Sequence, residues 1–111
     1  MRFLFVVLLV LHLQAIAWGD NWPQWRGPQL NGTSSETNLP IRWSKSEGAA
    51  WTLPLPAWSG STPIVWADRI FLNVAEGPQV FLWCVDRDAG RVVWKRPIAS
   101  GNRQIRKQNM T

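Results

Sequence analysis

The stretch FLWCVDRDAGRVVWKRPI, Phe81 to Ile98, decides the fold of this chain. Two apolar runs, each carrying a tryptophan, flank the polar turn Asp86-Arg87-Asp88-Ala89-Gly90. An Asp that opens such a turn accepts backbone N–H bonds through its carboxylate, and a Gly that closes it takes a positive φ without steric cost. The runs are therefore expected as antiparallel strands and the turn as their reversal. In the first run Val80, Leu82 and Cys84 alternate with Phe81, Trp83 and Val85, so both faces are apolar. A strand of that kind sits in a stack of sheets, with a neighbour on each side.

Upstream, STPIVW and RIFLNVA read as the arms of a hairpin joined around Ala67-Asp68. AAWTLPLPA reads as one more strand, whose prolines demand an edge or a bulge. Trp43, Trp51, Trp58 and Trp66 fall at near-heptad intervals, but Pro54, Pro56, Gly60 and Pro63 lie between them and exclude a helix. The segment 18–43 is rich in Trp, Pro and Gly. Pro23, Pro28 and Pro40 fix φ while Gly27, Asn31 and Gly32 supply turns, so a looped lead-in is expected. Its Trp22, Trp25, Leu30, Leu39, Ile41 and Trp43 are too much apolar surface for a solvated linker, and the segment is expected to wrap onto a larger body.

The beginning of the chain reads as a signal peptide over 1–17. Met1-Arg2 is a short positive start, Phe3 to Leu13 is an apolar run broken by His12, and Ala15 and Ala17 occupy the −3 and −1 positions of a peptidase site. Cleavage after Ala17 is the first choice and cleavage after Gly19 the second. The apolar run falls short of the ~20 residues that a spanning helix needs, so the chain is expected to be exported, to the periplasm or beyond the cell, with no transmembrane helix in its mature form.

The formal net charge of +5 is spread along the chain, and only the tail RQIRKQ is dense in cations. A nucleic-acid surface would concentrate charge on one face among stacking aromatics, so no nucleic-acid partner is expected. The single cysteine, Cys84, excludes an intrachain disulfide. The single histidine, His12, lies in the expected leader, which denies the mature chain a Ser-His-Asp or Cys-His set. Cys84, inside an apolar strand, reads as an inert buried thiol. Asp86 and Asp88 read as turn residues rather than as an acid–base pair or a calcium site. No catalytic, cofactor-binding or metal-ligating residues are therefore assigned, and the sequence leaves the enzyme question to whatever parent protein the chain belongs to.

With Asp86, Gly90 and Trp94 in place, Leu82 to Trp94 resembles the repeat of quinoprotein-type (pyrroloquinoline-quinone-like, tryptophan-docking) β-propellers, Leu-x-Ala-Leu-Asp-x-x-Thr-Gly-x-x-x-Trp. Cys84 stands for the small Ala, Val85 for Leu and Ala89 for Thr. Trp22, Arg26, Gly27, Pro28 and Gly32 also resemble a Trp-x-x-x-Arg-Gly-Pro-x-x-x-Gly segment that precedes the first blade in secreted, WD40-like bacterial propellers of planctomycete type. The resemblance covers roughly Asn21 to Thr111. It implies an all-β fold, with residues 44–111 forming one four-stranded propeller blade and at most the first strand of the next. It also implies that the indole of Trp94 packs between blades and bonds to backbone. A propeller closes with about four to eight blades, so the chain is expected to be a fragment of a longer protein or a one-blade protein completed by association.

For function the resemblance implies a noncatalytic structural or protein-interaction part, with further blades or other protein surfaces as partners. The first alternative is the N-terminal portion of a quinone-dependent dehydrogenase, in which pyrroloquinoline quinone and Ca²⁺ would sit at the propeller centre. The second is a carbohydrate-binding module presenting Trp22, Trp25 and Trp58.

Overall fold

The computed structural model of the protein describes residues 19–101. The expected leader, the basic tail and the expected first strand of a following blade lie outside the described residues. Within them the chain is all-β. Strands β1 (Ile64–Trp66), β2 (Arg69–Glu76), β3 (Gln79–Asp86) and β4 (Val92–Ser100) form one antiparallel sheet in chain order, with no helix among the described residues.

Each reversal follows from its residues. The β1–β2 hairpin turns at Ala67-Asp68, as the sequence predicts, with Trp66 paired to Arg69. Ala67 sits at φ 51°, a left-handed conformation that costs an alanine about 1–2 kcal/mol. Its N–H donates to Asn21 Oδ1 at 2.6 Å, so the lead-in holds this turn. Gly77-Pro78 reverses β2 into β3, with Glu76 opposite Gln79. The Asp86–Gly90 turn reverses β3 into β4, closed by Asp86 N–H to the Arg91 carbonyl and by Gly90 N–H to the Asp86 carbonyl, both at 2.9 Å.

The β3–β4 ladder slips twice. Cys84 faces Trp94 and Val85 faces Val92, leaving Val93 over; Phe81 faces Pro97 and Val80 faces Ala99, leaving Ile98 over. Bulges of this kind turn a side chain out of the alternation; the whole of β4 from Val93 onward is exposed, apolar Val93, Trp94 and Ile98 included. Such bulges also suit an edge strand that carries a proline.

The register sorts side chains onto two faces. Ile70, Leu72 and Val74 of β2 share one face with Phe81, Trp83 and Val85 of β3; Phe71 and Asn73 share the other with Leu82, Cys84 and Trp94. The core lies on the first face, where Val74, Trp83 and Val85 are buried beneath Trp51, Leu53 and Leu55.

That covering layer corrects the reading of AAWTLPLPA. The segment is extended but is not a strand, and it crosses the face of the sheet instead of adding to its edge. Period-two alternation survives, with Trp51, Leu53 and Leu55 inward and Thr52, Pro54 and Pro56 exposed. The ladder does not, because two prolines in three residues remove the donors a strand needs. Further on, Ser59 Oγ donates to the Asn73 carbonyl at 2.9 Å and Asn73 N–H donates to Ser61 Oγ at 3.2 Å. Hydroxyls thus complete the edge of β2 where the short β1 has ended.

Of the lead-in, Trp22 joins the sheet. It bridges Val65 on the outer edge of β1 through two backbone bonds of 2.8 and 3.0 Å. Its indole lies on Gly27, where an added Cβ would stand 2.6 Å from the ring. Ile41, Trp43 and Trp25 are 91%, 71% and 66% exposed. The sheet of this chain gives them no body to wrap. The second face is also open in part: Cys84 is buried, but Trp66 is 56% and Trp94 37% exposed.

Candidate functional site

The chemically distinctive region is the end of the sheet where the two turns meet. Arg87 N–H donates to the Asp68 carbonyl at 3.0 Å and ties the β3–β4 turn to the β1–β2 turn. Asp86 organises its own turn: Oδ1 accepts N–H bonds from Ala89 at 2.8 Å and Asp88 at 3.1 Å. Its Oδ2 lies 3.3 Å from the Arg69 guanidinium, which also holds Asp68 at 2.7 Å. The Ala89 N–H holds the Asp86 carboxyl below its ordinary pKa, outweighing partial desolvation, with the Asp88 N–H and the Arg69 charge acting in the same direction. Both carboxylate oxygens are engaged, Oδ1 by the backbone N–H groups that the sequence predicts and Oδ2 by Arg69.

Onto this turn docks a tryptophan. Trp51 Nε1 donates to the Arg87 carbonyl at 2.7 Å. The flat of its ring rests on Gly90, where an added Cβ would stand 2.3 Å from Cδ2. Gly90 is therefore required twice, by its φ of 64° and by the ring pressed on it. The turn is a receptor for an indole, with a glycine for its face and a carbonyl for its donor.

Asp86 and Gly90 thus stand together in one receptor, and Trp94 stands apart from it. Trp94 lies in β4 opposite Cys84, its ring centroid 6.0 Å from that of Phe71. The indole seated on the turn is that of Trp51, which the sequence reading had placed only as a strand residue. A signal for it is present. A shift of about 43 residues carries Trp51 onto Trp94, Pro54 onto Pro97 and Leu55 onto Ile98.

A second polar cluster sits at the other end of the core. Trp83 Nε1 donates to Glu76 Oε1 at 3.0 Å, and Lys95 Nζ reaches the same oxygen at 2.8 Å while lying 4.0 Å from the centre of the Trp83 ring. The hydrogen bond from Lys95 lowers the pKa of Glu76. Between Trp51-Leu53-Leu55 and the sheet runs an apolar groove of about 270 Å³, reaching Val65, Ile70 and Leu72.

Among the described residues no three His, Cys, Asp or Glu side chains gather as metal ligands. Cys84 is buried, and burial pushes its thiol pKa up. The three candidate platform tryptophans have separate settings. Trp22 is spent on Gly27, Trp25 has the Arg26 guanidinium 4.5 Å over its ring, and Trp58 is exposed beside Gly60. Comparison of the chain with protein-family models, curated proteins and solved structures finds no match.

The Asp86 geometry fixes a pH dependence. Its folded pKa lies below the unfolded value, so its contribution is full above the unfolded pKa and is lost as pH falls through the lower, folded one. Thermal melts of the wild-type chain are expected to fall on acidification below the ordinary Asp value of 3.8. Asp86→Asn should flatten that fall and lower the neutral-pH melting temperature. An unchanged acid slope in the variant would show that Asp86 does not drive it.

Proposed function

We propose that this chain is a noncatalytic structural and protein-interaction part of an exported, quinoprotein-like β-propeller, acting as one blade that stacks against further blades. The observation that carries this reading is the seating of Trp51 on the Asp86–Gly90 turn. Trp51 belongs to a covering segment and not to the four-stranded sheet, so it does for this sheet what a preceding blade's tryptophan would do. Trp94 has the same Trp-x-x-Pro neighbourhood at the end of the sheet's own chain, and it is the side chain suited to dock on a following Asp-x-x-x-Gly turn. The partly open second face, with Trp66 and Trp94, supplies the apolar surface for that contact. The exposed tryptophans of the lead-in fit the same larger body.

A blade with an uncovered face and an unpaired β4 edge is expected to associate or to fold incompletely when alone. Light scattering and calorimetry on the isolated chain test this. Concentration-dependent oligomers, reduced by Trp66→Lys on the open face, are the expected result. A monomer with one sharp, cooperative melt would sink the single-blade reading.

A further inference from the structure

The lead-in holds a reactive pair. Of the six asparagines in the chain, Asn31 alone is followed by glycine, and Asn31, Gly32 and Thr33 are all exposed. Asparagine is thermolabile because the backbone nitrogen of the next residue attacks its side-chain amide carbon, and a side chain on that next residue obstructs the approach. Gly32 has none, and at its φ of 76° an added Cβ would meet nothing within 4 Å, so the approach is open to solvent. The amide under attack is also held in place. Asn31 Oδ1 accepts the Thr33 N–H at 3.0 Å and the Thr33 hydroxyl at 2.8 Å. Two donors on one carbonyl oxygen make its carbon more electrophilic and stabilise the negative charge that attack puts on the oxygen.

We propose that Asn31 is a site of spontaneous covalent modification, deamidation through a cyclic imide, and that Thr33 promotes the reaction by holding the amide oxygen. The inference is independent of the blade reading. The Gly32 N–H donates to the Arg26 carbonyl at 2.8 Å; once that exposed bond opens, hydroxide takes the proton. The nitrogen then bonds to Asn31 Cγ, and the charge passes to Oδ1 between the two Thr33 donors. The Cγ–Nδ2 bond breaks, and Nδ2 takes a proton from water and leaves as ammonia. Water opens the imide at either carbonyl, which leaves an aspartate or an isoaspartate at position 31. The isoaspartate inserts a methylene into the backbone beside Gly32 and misaligns the bond to Arg26. That bond, together with Gln24 Nε2 on the Gly27 carbonyl at 2.8 Å, closes the loop that presses Gly27 against the Trp22 indole. Ageing at one residue therefore loosens the seat of Trp22.

Incubation of the purified chain at mildly alkaline pH, followed by trypsin digestion and mass spectrometry, tests the assignment. The tryptic peptide of residues 27–42 carries both Asn31 and an internal control, Asn38, which precedes Leu39. The mass gain of amide-to-acid conversion is expected at Asn31, split between aspartate and isoaspartate, while Asn38 is unchanged. Conversion at Asn31 no faster than at Asn38 would overturn the site. Thr33→Val removes the hydroxyl donor and keeps the N–H, and it should slow the conversion roughly threefold, the worth of one net hydrogen bond. In concentrated urea, where the loop is lost, the variant and the wild type should convert at the same rate. Equal rates without urea, or a slowing that persists in urea, would overturn the role of Thr33.

Discussion

Gly90→Ala is expected to remove most of the stability of the sheet, whereas Gly77→Ala, at a similar backbone angle, is not. Both glycines have positive φ, 64° and 60°, so each alanine bears the same backbone cost of about 1–2 kcal/mol. The surroundings differ. Around Gly77 an added Cβ meets nothing within 4 Å, whereas at Gly90 it would lie 2.3, 2.4 and 2.6 Å from three atoms of the Trp51 ring. Those atoms belong to a rigid ring whose far side covers the core, and not to the end of a flexible chain. The ring must therefore leave the turn, and with it go the Nε1 bond to Arg87 and the cover over Val85. Losing a docked aromatic from a core costs about 3–5 kcal/mol, so the excess of Gly90→Ala over Gly77→Ala should approach about 3 kcal/mol. Urea unfolding followed by tryptophan fluorescence, at matched protein concentration and assembly state, measures the difference. Equal losses would mean that Trp51 docking contributes nothing beyond the turn itself.

The parts of this architecture that were legible in the sequence are those governed by local chemistry. Asp86 and Gly90 announce a reversal because carboxylate capping and a left-handed glycine are short-range effects, and both occur where expected. Ala67-Asp68 was readable because the apolar runs on either side leave no other place for the hairpin. Long-range choices were not legible. Nothing in Trp51-Thr52-Leu53-Pro54-Leu55 states whether its apolar side meets the edge of a sheet or its face. The structure decides for the face because an uncovered one, lined by Ile70, Leu72 and Val85, lies within reach. The indole on the turn is that of Trp51, far upstream, a role the sequence assigns to no residue. A strand that leaves a turn carries its side chains away from it, so the ring lying on that turn comes from another segment. The two β3–β4 bulges were equally hidden, since alternation continues through Val92-Val93-Trp94 while the pairing slips.

Trp83→Ala is expected to remove much of the stability of the chain, and Trp83→Phe to show which of its interactions matters. Three effects meet at this ring. Burial of an indole removes roughly 150–250 Å² from water, worth several kcal/mol at about 25 cal/mol per Å². The Lys95 ammonium over the ring adds about 0.5–1 kcal/mol at an exposed site, and the Nε1 bond to the solvent-accessible Glu76 adds a smaller polar contribution. Burial is the largest, and phenylalanine keeps most of it. A loss of about 3–5 kcal/mol is therefore expected for alanine and of about 1 kcal/mol for phenylalanine. The polar part has its own signature. Glu76 has its pKa lowered chiefly by Lys95 and in part by Trp83, so the stability it contributes is lost as pH falls through its folded pKa, below the ordinary 4.5. Trp83→Phe removes one donor and leaves Lys95 in place, so its loss relative to wild type should shrink at acid pH without vanishing. Urea midpoints of the three chains at neutral pH and near pH 4 separate the contributions. If phenylalanine proves as damaging as alanine at neutral pH, the Glu76–Lys95–Trp83 cluster outweighs burial, and the end of the core opposite the docked Trp51 is held by charge instead of by packing.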